Sequence, residues 1–395
     1  MKNKTNRLYF IDAMRAWAIL MMLQGHFVDG LLDTSFRDNT DFGYTLWKYF
    51  RGITAPVFFT VSGFIFTFLL IRVTPKKGLD NPRVKKGLKR GLQLLLIGYL
   101  LRLNFFSLFI GEIYDSFYLV DVLHCIGLSI IGIISIYLLT QNRKKFLFPL
   151  VLLSSTCLLF LLEPMYKQFN FSLLPTALAN YLTKTNGSVF TIAPWFGYAA
   201  FGGFLSILFT RFKNFKYLYP VAISISIIVG LALIFYSSDF FMALSGFMGV
   251  QLFADIYFNN YLFIRLGDVF LVFAVFMLLK NFMTNKTVLK IGQSTLSIYV
   301  LHFIILYGSF TGLGLYGFFH HSLSPTLVII TALLFMGVCT FLALYYEKHK
   351  VGIKLAISVA FKFVRTKMEP WYLFTQKLFK TSISRLLRIT GLTKN

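Results

Sequence analysis

Leu8-Tyr-Phe-Ile-Asp-Ala-Met-Arg-Ala-Trp-Ala-Ile-Leu-Met-Met-Leu-Gln-Gly-His-Phe-Val-Asp-Gly-Leu-Leu32 is an apolar stretch long enough for one helix to cross a bilayer. It nevertheless carries Asp12, Arg15, His26 and Asp29. A charge at the centre of a span costs about 2.5–3.5 kcal/mol on insertion scales. Such groups are kept mostly where they face protein or water and do work there. Ten residues separate Arg15 from His26. Eleven helical steps of about 100° return to within roughly 20° of the start, so both lie on one face, about 16 Å apart along the axis.

The rest of the 395-residue chain fits that reading. It is 57% hydrophobic, 18% aromatic and only 14% charged, with a mean hydropathy of +0.70, against about 25% charged in soluble domains. Repeated apolar runs define an all-α, polytopic transmembrane helical bundle. Ten spans are predicted, at about 11–32, 52–72, 90–110, 118–140, 146–163, 190–210, 217–236, 262–280, 291–311 and 324–346. No small-residue cleavage site follows the first of them, so it reads as a retained helix rather than a removed signal peptide. Cys125, Cys157 and Cys339 fall on separate apolar segments, with no metal or disulfide spacing.

A net charge of +24 invites a nucleic-acid partner, but its placement argues against one. Of the 39 lysines and arginines, 31 fall at the termini and in alternate loops and five in the opposite loops. Arg15, Arg102 and Arg265 lie within spans. This positive-inside asymmetry puts both termini in the cytoplasm. Residues 240–258 read as a re-entrant or interfacial segment, because an eleventh span would place the basic tail outside. The chain then divides into a membrane domain, 1–346, and a basic amphipathic cytoplasmic tail, 347–395. Pro370 splits the tail into one or two helices suited to lying on membrane lipids.

With this topology, several ionisable groups share one slab of the bundle. They are His26 and Asp29, Asp121 and His124 one turn apart, Arg265 and Asp268 likewise, and His302. A neutral imidazole is a proton acceptor near pH 7, so His26 is the leading candidate base. Arg15 suits a phosphate, or else only pairs with Asp12. Gly312-Leu-Gly314-Leu-Tyr-Gly317 matches a dinucleotide fingerprint but follows a membrane helix, not a strand, and lacks the acidic partner. Intramembrane carboxylates and histidines also suit a proton-coupled transporter or lipid flippase, although no internal repeat is visible. A structural subunit of an envelope assembly is a third reading.

Several motifs carry a family resemblance. Arg15-x10-His26, followed by Ala-Pro-Val-Phe-Phe-Thr-Val-Ser-Gly-Phe at 55–64, resembles the membrane acyltransferases called acyltransferase 3. Lys-Arg-Gly-Leu-Gln-Leu-Leu at 89–95 and Asp-Val-Leu-His-Cys-Ile-Gly-Leu-Ser at 121–129 are more similar to a related branch. That branch holds heparan-alpha-glucosaminide N-acetyltransferase and its bacterial relatives. Pro194-Trp195-Phe196-Gly197 and Ile-Gly-Gln-Ser-Thr-Leu-Ser-Ile-Tyr-Val-Leu-His at 291–302 fit patterns of the superfamily.

The resemblance covers residues 7 to about 345. It implies an O- or N-acyltransferase of a bacterial inner membrane, using acetyl-CoA or another acyl-CoA as donor and no metal. The acceptor would be a glycan or lipid at the outer face, and assembly into a homo-oligomer stays open. His26 and Arg15 then carry the catalytic roles. Asp29, Asp121, His124, Arg265 and His302 would shape the acceptor pocket. Lys86, Lys89, Arg90 and Arg102 would meet the donor's phosphates. Lys86 and Lys89 stand where acyltransferase 3 proteins carry two arginines. The histidine that the glucosaminide branch keeps in the loop after the first span has no counterpart between 33 and 51, which leaves His26.

Overall fold

The structure is a computed structural model, described for residues 8–72 and 78–389. Among these residues it is all-helical, its only extended pairings being two isolated bridges. Helices in chain order are α1 (Tyr9–Leu31), α2 (Phe42–Ile71), α3 (Pro82–Arg102), the short α4 (Phe105–Phe109), α5 (Val122–Thr140) and α6 (Leu147–Leu161). Next come two short helices, α7 (Glu163–Tyr166) and α8 (Thr176–Ala179), then α9 (Ile192–Arg211) and α10 (Leu218–Phe235). The series ends with α11 (Ser237–Met248), α12 (Gln251–Phe258), α13 (Tyr261–Leu278), α14 (Lys286–Gln293), α15 (Thr295–Tyr307), α16 (Leu315–Phe319) and α17 (Pro325–Ile389).

Among the described residues six helices, or seven when the bent pair α14–α15 is taken as one span, are long and apolar enough to cross a membrane. The outer faces of α10 and of the first part of α17 expose Ile225, Ile228, Phe235, Ile330, Leu333, Leu334 and Phe341. A water-facing surface would not tolerate apolar area of that extent, and a lipid-facing one requires it. The chain is an integral membrane protein. Each of the ten predicted segments holds a helix, although α6 has only 15 residues and α3 carries six basic ones.

The chain forms two compact units, Met1–Leu342 and Ala343–Asn395. In the first, α2 and α9 pack most intimately. Gly63 and Gly202 make this approach: a Cβ at Gly63 would run into the Ala199 carbonyl oxygen, and one at Gly202 into that of Thr60. Small residues at helix contacts are how membrane bundles bring backbones together. Phe64, Phe209, Phe273 and Phe10 then fill the space between α1, α2, α9 and α13. In the second unit, every described side chain from Lys354 to Ser384 is exposed.

Four boundaries differ from the sequence expectation. The second helix starts at Phe42 rather than 52, because Asp41 caps it by accepting the Tyr44 amide at 2.6 Å. The third occupies 82–102 rather than 90–110: Asn81 caps it, Pro82 starts it, and Leu103 is extended. The ninth segment bends by 69° between α14 and α15, where Gly292 lets the chain lie against the Asp12 backbone. The tail is not divided at Pro370, which lies inside α17. Residues 240–258 form parts of α11 and α12, which pack together and are separated by Gly249 at φ +67°.

Away from the basic loops, the opposite end of the first unit is stitched by backbone bonds. Asp33 donates its amide to Leu323, and Phe105 and Phe310 connect the segments after α3 and α15. Asn180 Nδ2 donates to the Tyr118 carbonyl at 2.8 Å, tying the 112–121 loop down. Phe310 and the 112–121 loop line the cavity described next.

Candidate active site

A cavity of about 680 Å³ opens between α1, α2, α3, the 104–121 segment and α15. Four of the residues singled out in the sequence line it: His26, Asp29, Arg102 and Asp121. Arg51, Glu112, Tyr299, Tyr307 and Tyr316 join them.

His26 sits near the end of α1, partly accessible from the cavity. Its Nδ1 lies 3.4 Å from His302 Nε2 and 3.4 Å from the Tyr307 hydroxyl. The His26 and His302 rings meet edge to face, with centroids 5.3 Å apart. His302 is fully buried and does not line the cavity. Among the described residues, His26 Nε2 has no hydrogen-bond partner. One ring nitrogen is therefore engaged by protein and the other is left to whatever enters.

Two ion pairs flank this ring. Asp29, one turn after His26, accepts from Arg51 Nη2 at 2.6 Å. Arg102, at the end of α3, donates from Nε to Asp121 at 2.9 Å and from Nη1 to the Ser116 carbonyl at 3.1 Å. The second pair is more deeply placed, with 15% and 8% of its side chains exposed against 39% and 43% for the first. Removing one partner of a buried pair leaves a bare charge, at a cost of about 3–5 kcal/mol. His124 stands behind Asp121 rather than in the cavity. Its Nδ1 accepts the Asp121 amide at 3.1 Å, so Nε2 carries the proton in a neutral ring. The ring is packed against Gly98, where a Cβ would lie 2.5 Å from Cε1.

The remaining predicted residues lie elsewhere. Arg265 donates to Asp268 at 2.9 Å and sits 4.6 Å over the Tyr49 ring, against α2 and outside the cavity lining. Arg15 donates to Thr295 at 3.0 Å and lies 4.0 Å from Asp12. Lys86, Lys89 and Arg90 are exposed on the early turns of α3. Residues 90 and 102 are about 18 Å apart along the helix. The four residues assigned to donor phosphates therefore split, with Arg102 at the cavity and the other three at the basic end.

Sequence reasoning missed Arg51 and Tyr307. Arg51 falls in the first turns of α2, which the Asp41 cap signalled, but its pairing with Asp29 is tertiary. Tyr307 ends α15 and meets His26 only through folding. Outside the membrane helices, Asp33 is held below the usual carboxylate range by the amide and hydroxyl of Ser35. His321 is lowered by partial burial and by the charges of Arg37 and His320. Among the described residues, no group of three His, Cys, Asp or Glu side chains is placed to hold a metal ion.

Residues 7–241 match the family described as "Heparan-alpha-glucosaminide N-acetyltransferase, catalytic". That stretch is more than half of the chain and holds His26, Asp29, Arg51, Arg102 and Asp121. No curated protein matches the chain. Of the two branches that its motifs resemble, the match falls on the second, and the chain belongs to the heparan-alpha-glucosaminide N-acetyltransferase-like family of membrane acyltransferases.

Proposed function

We propose that this protein is a ten-span acyltransferase of a bacterial inner membrane with both termini in the cytoplasm. It moves an acetyl or other acyl group from cytoplasmic acyl-CoA to a hydroxyl or amine of a glycan, lipid or similar acceptor at the outer face. The charge asymmetry of the loops, the helix at each predicted segment and the family membership support this reading. The observation that carries it is the state of His26, fixed at Nδ1 and bare at Nε2 beside a cavity of about 680 Å³.

The chemistry follows from that ring. With its proton on Nδ1, directed at His302 Nε2 or the Tyr307 oxygen, His26 presents a lone pair at Nε2. The acceptor gives its proton to Nε2 as its oxygen or nitrogen attacks the thioester carbonyl. The carbon–sulfur bond then breaks, and the departing thiolate takes the proton from Nε2. A covalent acyl-histidine is the alternative course, in which Nε2 itself attacks first.

Asp29 and Asp121 face the acceptor. His124 and Arg265 serve from behind, the first by holding the start of α5 and the second by holding α2. Arg15, Lys86, Lys89 and Arg90 meet the donor's phosphates at the basic end. The donor's thioester must then reach about 16 Å along α1 from the level of Arg15, a span suited to the extended pantetheine arm.

The test is transfer of label from radiolabelled acetyl-CoA to a panel of amino sugars, glycans and lipids by the purified full-length protein. Wild type is expected to label an acceptor, and His26→Ala to fall to background at unchanged abundance and thermal stability. Full activity in His26→Ala removes the mechanism. Proton-driven uptake without any acyl-CoA requirement removes the enzyme reading.

A further inference from the structure

We propose that Arg51 is a catalytic residue of this reaction, holding the oxyanion that forms when the acceptor attacks the thioester; the inference rests on the acyl-transfer reading above. Arg51 lines the same cavity as His26. Its stem lies over Gly25, the residue before His26, where a Cβ would sit 3.4 Å from Arg51 Cγ. Its Nη2 is bound to Asp29, one turn beyond His26, at 2.6 Å. The guanidinium is therefore held along the same stretch of α1 that carries the candidate base.

Its neighbours on α2 anchor the turn that bears it. Trp47, whose ring lies 5.7 Å under the guanidinium, donates its Nε1–H to Gln24 at 2.8 Å. The Tyr49 hydroxyl donates to Asp268 at 2.6 Å. Gly52 leaves room for Arg265, whose Nη2 would lie 2.6 Å from a Cβ there. The turn bearing Arg51 is thus tied to α1 on one side and to α13 on the other. Fixed donors that need no reorganisation are what stabilise charge appearing in a transition state.

The guanidinium also has donors to spare. Among the described residues, only Nη2 of Arg51 makes a hydrogen bond, while Nε and Nη1 make none. Arg102, the other arginine of the cavity, uses Nε on Asp121 and Nη1 on the Ser116 carbonyl, and is only 15% exposed against 39% for Arg51. Of the two, Arg51 is the more exposed and has more unengaged N–H groups to offer a new anion.

In the step, the acceptor's heteroatom bonds to the thioester carbon and its proton passes to His26 Nε2. The carbonyl π pair moves onto oxygen, which Arg51 holds through its free N–H groups. When the carbonyl reforms, the carbon–sulfur bond breaks and the thiolate takes the proton from His26. Arg51 stays charged throughout, because a guanidinium does not give up its proton in this range. Asp29 is a positioning residue that anchors it.

The experiment compares steady-state transfer from acetyl-CoA by full-length wild type, Arg51→Gln and Arg51→Lys. Arg51→Gln is expected to lose about 10²–10³-fold in kcat, the usual effect of removing one oxyanion donor, with the KM for acetyl-CoA within threefold. Arg51→Lys keeps the charge but not the fork, and is expected to fall by at least tenfold. Guanidinium salt at millimolar concentration is expected to restore part of the rate to Arg51→Ala and none to His26→Ala. A kcat within threefold of wild type in Arg51→Gln overturns the assignment, as does a change confined to KM. Should Arg51→Gln fail to fold, a full rate in Arg51→Lys overturns it equally. Failure of wild type to transfer acetyl would strike the enzyme reading instead.

Discussion

His302 Nε2 lies 3.4 Å from His26 Nδ1, the ring nitrogen that already meets the Tyr307 hydroxyl. The two residues are 276 positions apart, and His302 is wholly buried while His26 is partly open to the cavity. In the proposed mechanism this contact sets which nitrogen of His26 carries the proton. A base working at Nε2 needs its proton on Nδ1, and the proposal gives His302 Nε2 the role of accepting it. His302→Gln is expected to lower kcat by about 10²-fold, within the range general-base catalysis contributes. KM and thermal stability should change little. A rate equal to wild type would show that His302 does not orient the base.

Much of this site is legible in the sequence, for a physical reason. Ionisable residues are so costly in a span that His26, Asp29, Asp121 and His302 stand out against an apolar background, and the predicted topology assigns them one depth. Three of those four line one cavity and the fourth touches His26. Arg265 is the instructive exception. Its predicted depth is the same, yet Asp268 and Tyr49 satisfy it locally on α13 and α2. Depth does not give azimuth, and azimuth decides which side of a helix meets a cavity. Arg51 was illegible for the converse reason. Its apolar run begins only at Ile53, so hydropathy starts the helix just after Arg51, a residue that the Asp41 cap brings inside it.

The closest helix contact makes a prediction about stability. At Gly63 and Gly202 an added Cβ meets backbone carbonyl oxygens, which cannot rotate away as a side chain can. Gly63→Ala and Gly202→Ala should each force α2 and α9 apart. Overpacking of this kind costs about 1–3 kcal/mol, read as a clear drop in the melting temperature of the detergent-solubilised protein. Gly246→Ala, where nothing lies within 4 Å of the new atom, is the control expected to melt with wild type.

A pH dependence is expected at the seam between the end of α1 and the segment before α17. His321 donates its amide to Gly30, and Asp33 donates to Leu323. Both side chains titrate below their ordinary values: His321 through partial burial, Arg37 and His320, and Asp33 through its bonds to Ser35. A depressed folded-state value contributes stability above the unfolded value and loses it as pH falls. The seam should therefore hold at neutral pH and begin to loosen below about 6.5, first through His321. Amide hydrogen exchange of 308–323, corrected for intrinsic rates, checks this, and His321→Gln should remove the part that sets in near that pH.

The basic end supplies the last prediction. Lys86, Lys89 and Arg90 are exposed on one stretch of α3 and remote from the cavity, so in the proposed reaction they can act on the donor only through parts of it far from the thioester. A triple Lys86→Ala, Lys89→Ala, Arg90→Ala variant should raise the KM for acetyl-CoA and spare kcat, because binding held equally in ground and transition states sets KM alone. Charge-assisted hydrogen bonds of about 1.5–3 kcal/mol put the rise at roughly tenfold or more. The discriminating comparison is acetyl-dephospho-CoA, which lacks the ribose phosphate. Wild type should use it less well than acetyl-CoA, at low salt above all, and the variant should treat the two alike. Undiminished preference for acetyl-CoA in the variant would place the phosphate contacts elsewhere, with Arg15 the next residue to change.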